Sequence, residues 1–524
     1  MNLKNSISIE NNRLNYTKLG IIFITLLFFI FGLLIRLEFG LNFDISGDTY
    51  HRWFISAYTL ETGNYVDQFA NRIEISWLPG FDIISIIFIF IFGNNSINYL
   101  KIFNIVLNFC SILLFIYFYS HYNNVLKFTS MKSIVFIFLW MNPYFILISV
   151  SALPEMLMLF LFLLILTVLY QKNIEKPNNK MVLSISMLIL FSGLIKIELW
   201  IGMLLLISFF VIFQKKDPKY LSKRIYLLII TFSILLGTIW FMIIKLNPLF
   251  LKDIVEITSK DLQDTAFLPF SFSIDRLFQY LVYFFVAVPY LVLGIINLFN
   301  KPLDRFSSWF SIGFLSLFTV FILFGFGTLS YRYFTLVIPF LTLEFILLSE
   351  NILNNVKNFF FKFTDYELQL SNILKALTVS LMTIILIGSS LSTIHIAEDI
   401  AVLNQPEKRA GIFLKTLPVN TSKLILSDSV KSIYYSEINP KYFIGSIVYF
   451  DKFAGITNNS VIQNRIRQEI QYLVIVNMVK YFPILGYFPD LGKGLTNESF
   501  ELLFTATDWE NQYGGADVFV YKVL

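Results

Sequence analysis

Ionisable residues are scarce in this chain, and several of them lie at the ends of apolar runs, where their types suit acid–base and anion-binding chemistry. The first group follows the first apolar run and contains two carboxylates four residues apart, Asp44 and Asp48, and then His51 and Arg52. A carboxylate can take the proton of a reacting hydroxyl group, and neighbouring cations can hold an anionic group. The structural alternative is that Asp48, or Ser46, only caps the helix that follows.

Three later positions repeat this pattern of an ionisable group beside an apolar run. A carboxylate at a helix start is already favoured by the helix dipole, and basic side chains at helix ends can extend into the interface. Ionisable groups at membrane depth are nevertheless candidate functional sites by default. The residues are Glu155, the pair Lys196 and Glu198, and the pair Arg332 and Tyr333.

The composition predicts that these groups belong to a polytopic helical membrane protein. The chain is 56% hydrophobic and only 14% charged, whereas soluble domains average about 25% charged residues. A run of about 20 apolar residues spans a bilayer as a helix. We predict eleven spanning helices, at roughly residues 18–37, 97–119, 131–150, 154–171, 181–196, 198–214, 223–245, 275–298, 306–326, 331–349 and 373–394.

Loop charge predicts the orientation of these helices. Lys215, Lys216 and Lys219 cluster in one loop, and such clusters mark the cytoplasmic side. Alternation then places the N-terminus in the cytoplasm and the large first loop, residues 38–96, outside. The apolar segment from Trp77 to Phe92 is short for a span, so we interpret it as a juxtamembrane or re-entrant helix. The small net charge of +5 argues against nucleic acid as a partner.

The composition changes near residue 400 to that of a soluble domain. Leu424–Ser427, Tyr472–Val476 and Val518–Tyr521 have the residue types of short strands, separated by helical or turn stretches. We therefore predict a transmembrane domain over residues 1–399 and a small α/β domain over residues 400–524 on the outer side. The single cysteine, Cys110, excludes an intramolecular disulfide.

The order of these motifs resembles that of the GT-C membrane glycosyltransferases. The likeness covers residues 18–350 and rests on the acidic motif of the first loop, on Pro154-Glu155, on Lys196-Ile197-Glu198-Leu199-Trp200 and on Arg332-Tyr333. Within that superfamily the chain is most similar to the branch of protein O-mannosyltransferases and aminoarabinose transferases, glycosyltransferase family 39 in the broad sense.

The resemblance implies an enzyme that transfers a sugar, with inversion, from a polyprenyl-phosphate donor in the bilayer to an exoplasmic acceptor. It implies that Asp48 is the catalytic base, with Asp44 as competitor and Glu155 as possible substitute. The chemistry of the residues suggests the other roles: Lys196 and Arg332 stabilise the phosphate, and His51 and Arg52 assist. Glu198 and Tyr333 belong to the same substrate-binding group.

Two other classes of function and the question of a metal ion stay open at this level. A transporter also places charges in a helical bundle, although usually near the midplane and often with repeats. A non-enzymatic lipid-glycan assembly protein needs the same helices. Asp44, Asp48 and Glu155 could supply oxygen ligands to a divalent cation, but the nearby cations already neutralise a phosphate. We expect no cofactor.

The orientation of the helices generates a first testable prediction. In a Cys110→Ser background, Asn64→Cys and Asn497→Cys are expected to react with a membrane-impermeant thiol reagent added from the same side of the membrane. Cysteines at Lys215 or Lys216 are expected to react only from the other side. Labelling of Asn64→Cys and Asn497→Cys from opposite sides would contradict the eleven-helix arrangement.

Overall fold

The structure is a computed structural model, and it describes most of the chain in separate stretches. These are residues 2–42, 47–63, 79–121, 126, 129–170, 179–213, 289–299, 305–323, 331–361, 384, 386, 388, 405–451, 453, 459–477, 483–507 and 517–524. Predicted spans at 223–245 and over most of 275–298 and 373–394 lie outside them, as does Asp44.

Helices dominate the described residues before position 400. They are α1 (Asn2–Asn42), α2 (Gly47–Thr62), α3 (Pro79–Phe92), α4 (Ser96–His121), α5 (Thr129–Trp140), α6 (Pro143–Ser149), α7 (Glu155–Leu169), α8 (Asn179–Gly193), α9 (Ile197–Phe213), α10 (Pro289–Phe299), α11 (Phe306–Leu323) and α12 (Ile338–Phe361). Short 3₁₀ helices cover Gly93–Asn95 and Tyr331–Phe334.

The surface of these helices is that of a protein covered by lipid. On α1, Leu19 is 70% exposed and Phe23 is 60% exposed, and such apolar faces are uncommon on proteins surrounded by water. Within the described residues, Leu19–Gly40 and Gly80–His121 are long and apolar enough to cross a membrane, and a bent pair of helices, α5 with α6, forms a further candidate. The total of eleven spans stays a prediction.

The predicted helix over residues 131–150 is wrong in one respect, because the chain breaks it into α5 and α6 with a bend of 58°. Pro143 has no N–H to donate and disfavours helical geometry in the residue before it. Asn142 takes an extended conformation instead, and its side chain caps α6 by accepting a hydrogen bond from the Phe145 N–H. The bend changes the direction of the chain just before the linker that leads to Glu155.

The described residues beyond 404 form a small α/β unit. Its strands are β1 (Leu424–Ser427), β2 (Phe443–Ile444), β3 (Ile470–Val476), β4 (Phe500–Ala506) and β5 (Val518–Val523), and its helices are α13 (Gln405–Leu414), α14 (Val430–Ser436), α15 (Ser446–Asp451), α16 (Asn459–Glu469) and α17 (Pro483–Tyr487). The sheet order is β2-β1-β3-β5-β4, with β1 parallel to β2 and β3, and β5 antiparallel to β3 and β4. The three predicted strands are β1, β3 and β5.

The two faces of this sheet enter two different cores. Side chains alternate between faces along a strand, so Val474 and Val520 join the core that continues into the membrane helices. Leu473 and Phe519, one residue along, join a separate core that includes α15 and α16. One face of the sheet is therefore part of the same apolar interior as the helical bundle.

A buried carboxyl group at the end of β1 generates a prediction about stability. Burial raises the pKa of Asp428 to about 7, against a smaller opposing effect of Ser446. The pKa in the folded state exceeds the ordinary value of 3.8. The stability that the protonated carboxyl contributes is therefore fully present below pH 3.8, and it is lost as the pH rises from there towards 7.

Replacement of Asp428 by asparagine is expected to flatten this dependence. For the full-length parent protein in detergent, the thermal midpoint should decrease as the pH is raised from 5 to 8. For Asp428→Asn the midpoint should change less, and this variant should be the more stable protein at pH 8. Asp490→Asn is the matched control, because Asp490 is exposed in an ion pair with Lys493. Equal pH profiles for Asp428→Asn and the parent would contradict the assignment.

Candidate functional site

Five ionisable side chains form a row of alternating charge at one end of the described helices. Asp48 Oδ2 lies 2.7 Å from Arg332 Nη1, and Arg332 Nε lies 3.9 Å from Glu155 Oε1. The same Glu155 oxygen lies 2.9 Å from Lys196 Nζ, which also lies 2.8 Å from Glu198 Oε1. The structure thus brings together five of the residues that the sequence indicates as candidates.

Asp48 enters the row from the first turn of α2. The helix begins at Gly47, so Asp48 is its second residue and not the N-cap that one interpretation of the sequence assigned to it. A carboxylate in the first turn is still stabilised by the helix dipole. Arg332 comes from the 3₁₀ helix Tyr331–Phe334, where the Thr335 hydroxyl donates a hydrogen bond of 2.6 Å to the Arg332 carbonyl.

Glu155 is held by the short irregular linker that precedes α7. Asn104, on α4, donates hydrogen bonds from Nδ2 to the carbonyl oxygens of Ser151 at 2.6 Å and Leu153 at 2.8 Å. Asn104 and Glu155 are both buried. One amide group of α4 therefore fixes the backbone immediately before the first residue of α7.

Lys196 lies in the tight turn between α8 and α9, which two neighbours hold. The Trp200 indole N–H donates to the Gly193 carbonyl at 2.7 Å, at the C-terminal end of α8, where carbonyls lack helical partners. The Gly80 N–H donates to the Leu194 carbonyl at 2.8 Å. A Cβ atom at position 80 would lie 2.7 Å from that carbonyl oxygen, so the close approach of α3 requires glycine.

The row becomes more buried from Asp48 towards the other carboxylates. The exposed fraction of the side chain falls from 40% for Asp48 to 25% for Arg332 and 9% for Lys196, and it is 3% for Glu198 and 1% for Glu155. Three carboxylates face two cations, so the ionised row carries one excess negative charge. Solvent and a substrate therefore reach the row most readily at the Asp48 and Arg332 end.

Several carboxylate oxygens in the row keep unused hydrogen-bonding capacity. Within the described part of the chain, Glu155 Oε2 and both oxygens of Glu198 make no hydrogen bond of normal geometry. The close approach of Lys196 to Glu198 is therefore an ion pair without a well-directed hydrogen bond. Buried polar atoms without partners are costly, and they are sites where a bound group that donates hydrogen bonds would be stabilised.

Arg52 forms a second ion pair, with Asp82. Its Nη1 atom lies 3.1 Å from Asp82 Oδ1, and both side chains are almost completely buried. Asp82 is the residue that the sequence reading missed, because it occurs in the segment treated as apolar; a lone acidic residue in such a segment is itself a signal. His51 is half-buried on α2, and Tyr333 belongs to the same 3₁₀ helix as Arg332.

The exposed end of the row combines the groups that a displacement at a phosphate-linked carbon needs. Asp48 supplies a carboxylate that can accept a proton. Arg332 supplies a planar fork of donors that suits phosphate oxygens. Lys196 is enclosed between two carboxylates, Glu155 and Glu198, and is less exposed than Arg332.

The amide clamp on the linker before Glu155 can be tested by comparison with a neighbour on the same helix. Asn104→Leu removes both buried hydrogen bonds, and the Ser151 carbonyl keeps only the bond from the Leu153 N–H. Loss of a buried hydrogen-bond partner costs about 1–3 kcal/mol, so we expect a lower thermal midpoint in detergent. Asn108→Leu is the control one turn along α4. The amide of Asn108 has no hydrogen-bond partner among the described residues, so this change is expected to be neutral or stabilising. Equal effects of the two substitutions would contradict the clamp.

Comparison of the sequence with protein-family models and with curated proteins finds no match. Solved structures do match. ArnT from Cupriavidus metallidurans bound to undecaprenyl phosphate has a TM-score of 0.55 and 10% sequence identity, with 94% of this chain and 97% of that chain covered. The apo state of the same protein has a TM-score of 0.53 at the same identity and coverage.

The oligosaccharyltransferase of Archaeoglobus fulgidus, tethered to an acceptor peptide, is more distant, with a TM-score of 0.48, 10% identity, and coverage of 91% of this chain and 72% of that chain. The predicted resemblance is confirmed at the level of the fold. Over nearly its whole length the chain shares the fold of ArnT from Cupriavidus metallidurans.

Proposed function

We propose that this protein is an inverting glycosyltransferase that moves a sugar from a polyprenyl-phosphate donor to an exoplasmic protein, lipid or glycan acceptor. The observation that carries the proposal is the ion pair of Asp48 with Arg332, half-exposed at the end of a buried row of charges. The GT-C fold supports it, because a solved protein with that fold binds undecaprenyl phosphate.

Arg332 is the phosphate-binding residue in this proposal. Both of its ion-pair partners in the row are carboxylates, Asp48 and Glu155. A donor phosphate would compete with Asp48 for the exposed face of the guanidinium, while Glu155 keeps Arg332 in place from the buried side. Binding of the donor therefore separates Asp48 from its cation.

Asp48 is then available as the general base. The oxygen of the acceptor hydroxyl forms a bond to the anomeric carbon, and its proton passes to the Asp48 carboxylate. The bond between that carbon and the phosphate oxygen breaks on the opposite face, and its electron pair leaves with the phosphate, whose charge Arg332 stabilises. Attack from one side and departure from the other invert the configuration.

Glu155 and Lys196 lie on the buried side of Arg332 and support its position. Glu155 is too enclosed to meet an acceptor as readily as Asp48, and Lys196 prevents the two buried carboxylates from repelling each other. Removal of one partner from a buried ion pair typically costs about 3–5 kcal/mol. We therefore expect Lys196→Ala to destabilise the fold, which makes Arg332 the better position for a test of phosphate binding.

The test uses the purified full-length protein in detergent or nanodiscs. Undecaprenyl phosphate is expected to bind the parent protein and to bind Arg332→Ala at least about tenfold more weakly, because an ionised hydrogen bond contributes about 1.5–3 kcal/mol. Arg409→Ala is the control, since Arg409 is an exposed cation of the C-terminal unit that bonds the Thr507 carbonyl. Unchanged binding by Arg332→Ala would reject its phosphate role.

Transfer is measured with a panel of polyprenyl-phosphate sugars and acceptors. Asp48→Asn keeps the size of the side chain but removes its basicity, so we expect a rate at least about 10²-fold lower with donor binding retained. Full activity of Asp48→Asn together with loss in Asp44→Asn would move the base to Asp44. Full activity of both would make Glu155 the candidate, and no transfer by the parent from any donor would reject the proposed function.

A further inference from the structure

We propose that Tyr434 and Tyr435 of the C-terminal unit are positioning residues of the active site, because they fix the helix that carries Asp48. The inference rests on the proposed function. It assigns to the small α/β unit a direct part in placing the catalytic base.

The first support is the spacing of residues along α2. Asp48 and Arg52 are four residues apart and share one face of the helix. Tyr50, Trp53 and Glu61 follow the spacing of the opposite face. The helix therefore presents its ionisable groups on one side and an aromatic stripe, ending in a carboxylate, on the other.

The second support is that α14 packs against this aromatic stripe. The Tyr434 ring lies 4.9 Å from the ring of Trp53 at an angle of 87°, and 5.1 Å from the ring of Tyr50 at 63°. The hydroxyl groups of Tyr50 and Tyr435 lie 3.1 Å apart, within hydrogen-bond distance. Tyr50 and Trp53 are 2% and 5% exposed, so this contact removes large aromatic surfaces from solvent.

The same region of the C-terminal unit holds two further points around α2. The Asn439 amide donates to Glu61 Oε2 at 2.9 Å, near the last turn of the helix. The Tyr434 hydroxyl donates to the Asn94 carbonyl at 2.6 Å, in the 3₁₀ turn between α3 and α4. Tyr434 therefore connects α2 to the corner of the neighbouring helices, and α2 is contacted near both of its ends.

The energetics favour this aromatic contact over the ion pair of Asp48 as the means of fixing α2. The ion pair with Arg332 is partly exposed, and exposed ion pairs contribute at most about 1 kcal/mol. It must also open when a donor phosphate takes Arg332. Aromatic pairs with buried surface contribute more and do not depend on the substrate. Arg52 and Asp82 hold the opposite side of α2 against α3.

Placement of Asp48 matters because proton transfer requires approach within hydrogen-bond distance, and a displacement of about 1 Å can lower a rate about 10²-fold. In Tyr434→Ala, α2 loses its aromatic neighbour behind Asp48. We expect kcat for sugar transfer to fall about tenfold or more, with the donor KM changed less than about twofold, because Arg332 is not on α2. Tyr434→Phe keeps the ring and is expected to restore most of kcat.

The control is Lys415→Ala, which removes an exposed ion pair with Glu437 in the same unit and is expected to leave kcat unchanged. Tyr435→Phe removes a single hydroxyl and serves as a milder variant should Tyr434→Ala fold poorly. Amide hydrogen exchange in residues 47–62 is measured in parallel, and it should become faster in Tyr434→Ala and remain unchanged in Lys415→Ala.

The outcomes separate this inference from the proposed function. If the parent transfers sugar and both Tyr434→Ala and Tyr435→Phe keep the parental kcat, the positioning role is overturned and the proposed function stays intact. Equal losses of kcat in Tyr434→Ala and Lys415→Ala would show a general structural effect and also overturn it. If the parent transfers no sugar, the proposed function fails, and unchanged exchange in α2 would overturn the positioning role as well.

Discussion

The arrangement of this protein depends on the need to keep buried carboxylates and cations in contact at one end of a largely apolar bundle. Glu155, Lys196 and Glu198 are almost fully enclosed, and a charge removed from water is tolerated only when it is paired. The five members of the row come from four segments of the chain, because Lys196 and Glu198 belong to the same turn. The relative positions of α2, α7, α9 and the 3₁₀ helix before α12 are therefore constrained by electrostatics, whereas lipid-facing surfaces such as that of α1 have little positional specificity.

This constraint also explains why the backbone near the site is irregular. The linker before Glu155, the turn at Lys196 and the 3₁₀ helix at Arg332 all interrupt regular helices where a charged side chain must be presented. Irregular backbone leaves carbonyl and amide groups without helical partners, and these need other donors. Asn104, Trp200 and Gly80 meet that need, so the residues next to the charged row are as specific in their roles as the charges.

Much of the site was predictable from the sequence because isolated charges are conspicuous in an apolar chain. Asp48, Glu155, Lys196, Glu198 and Arg332 were all selected in this way, and the strands β1, β3 and β5 were evident as short runs rich in β-branched and aromatic residues. The strands β2 and β4 were not predicted. β2 has only two residues, and β4 is an edge strand with partly exposed side chains, so neither has a clear apolar signal.

The remaining features depend on contacts between distant segments, for which local patterns carry no information. Asp82 is as conspicuous in its apolar segment as the other isolated charges, but its partner, Arg52, is identified only by the structure. Asn104 has no sequence feature that distinguishes it from Asn108, although their surroundings differ completely. Proline at position 143 is a local signal for a break in the helix. The residues on both sides of it are apolar, so the sequence still predicts one continuous span over residues 131–150.

The order of strands in the sheet has a consequence for when the protein becomes competent during its synthesis. β5 lies between β3 and β4 and pairs with both, yet it is made after every other described element. Until it is inserted, β3 lacks a neighbour on one side, and the sheet face that continues into the bundle is incomplete. Asp48, made hundreds of residues earlier, would thus wait for β5 before its supporting unit could assemble. A nascent chain would pass through the membrane with its charged residues present but not yet arranged to act.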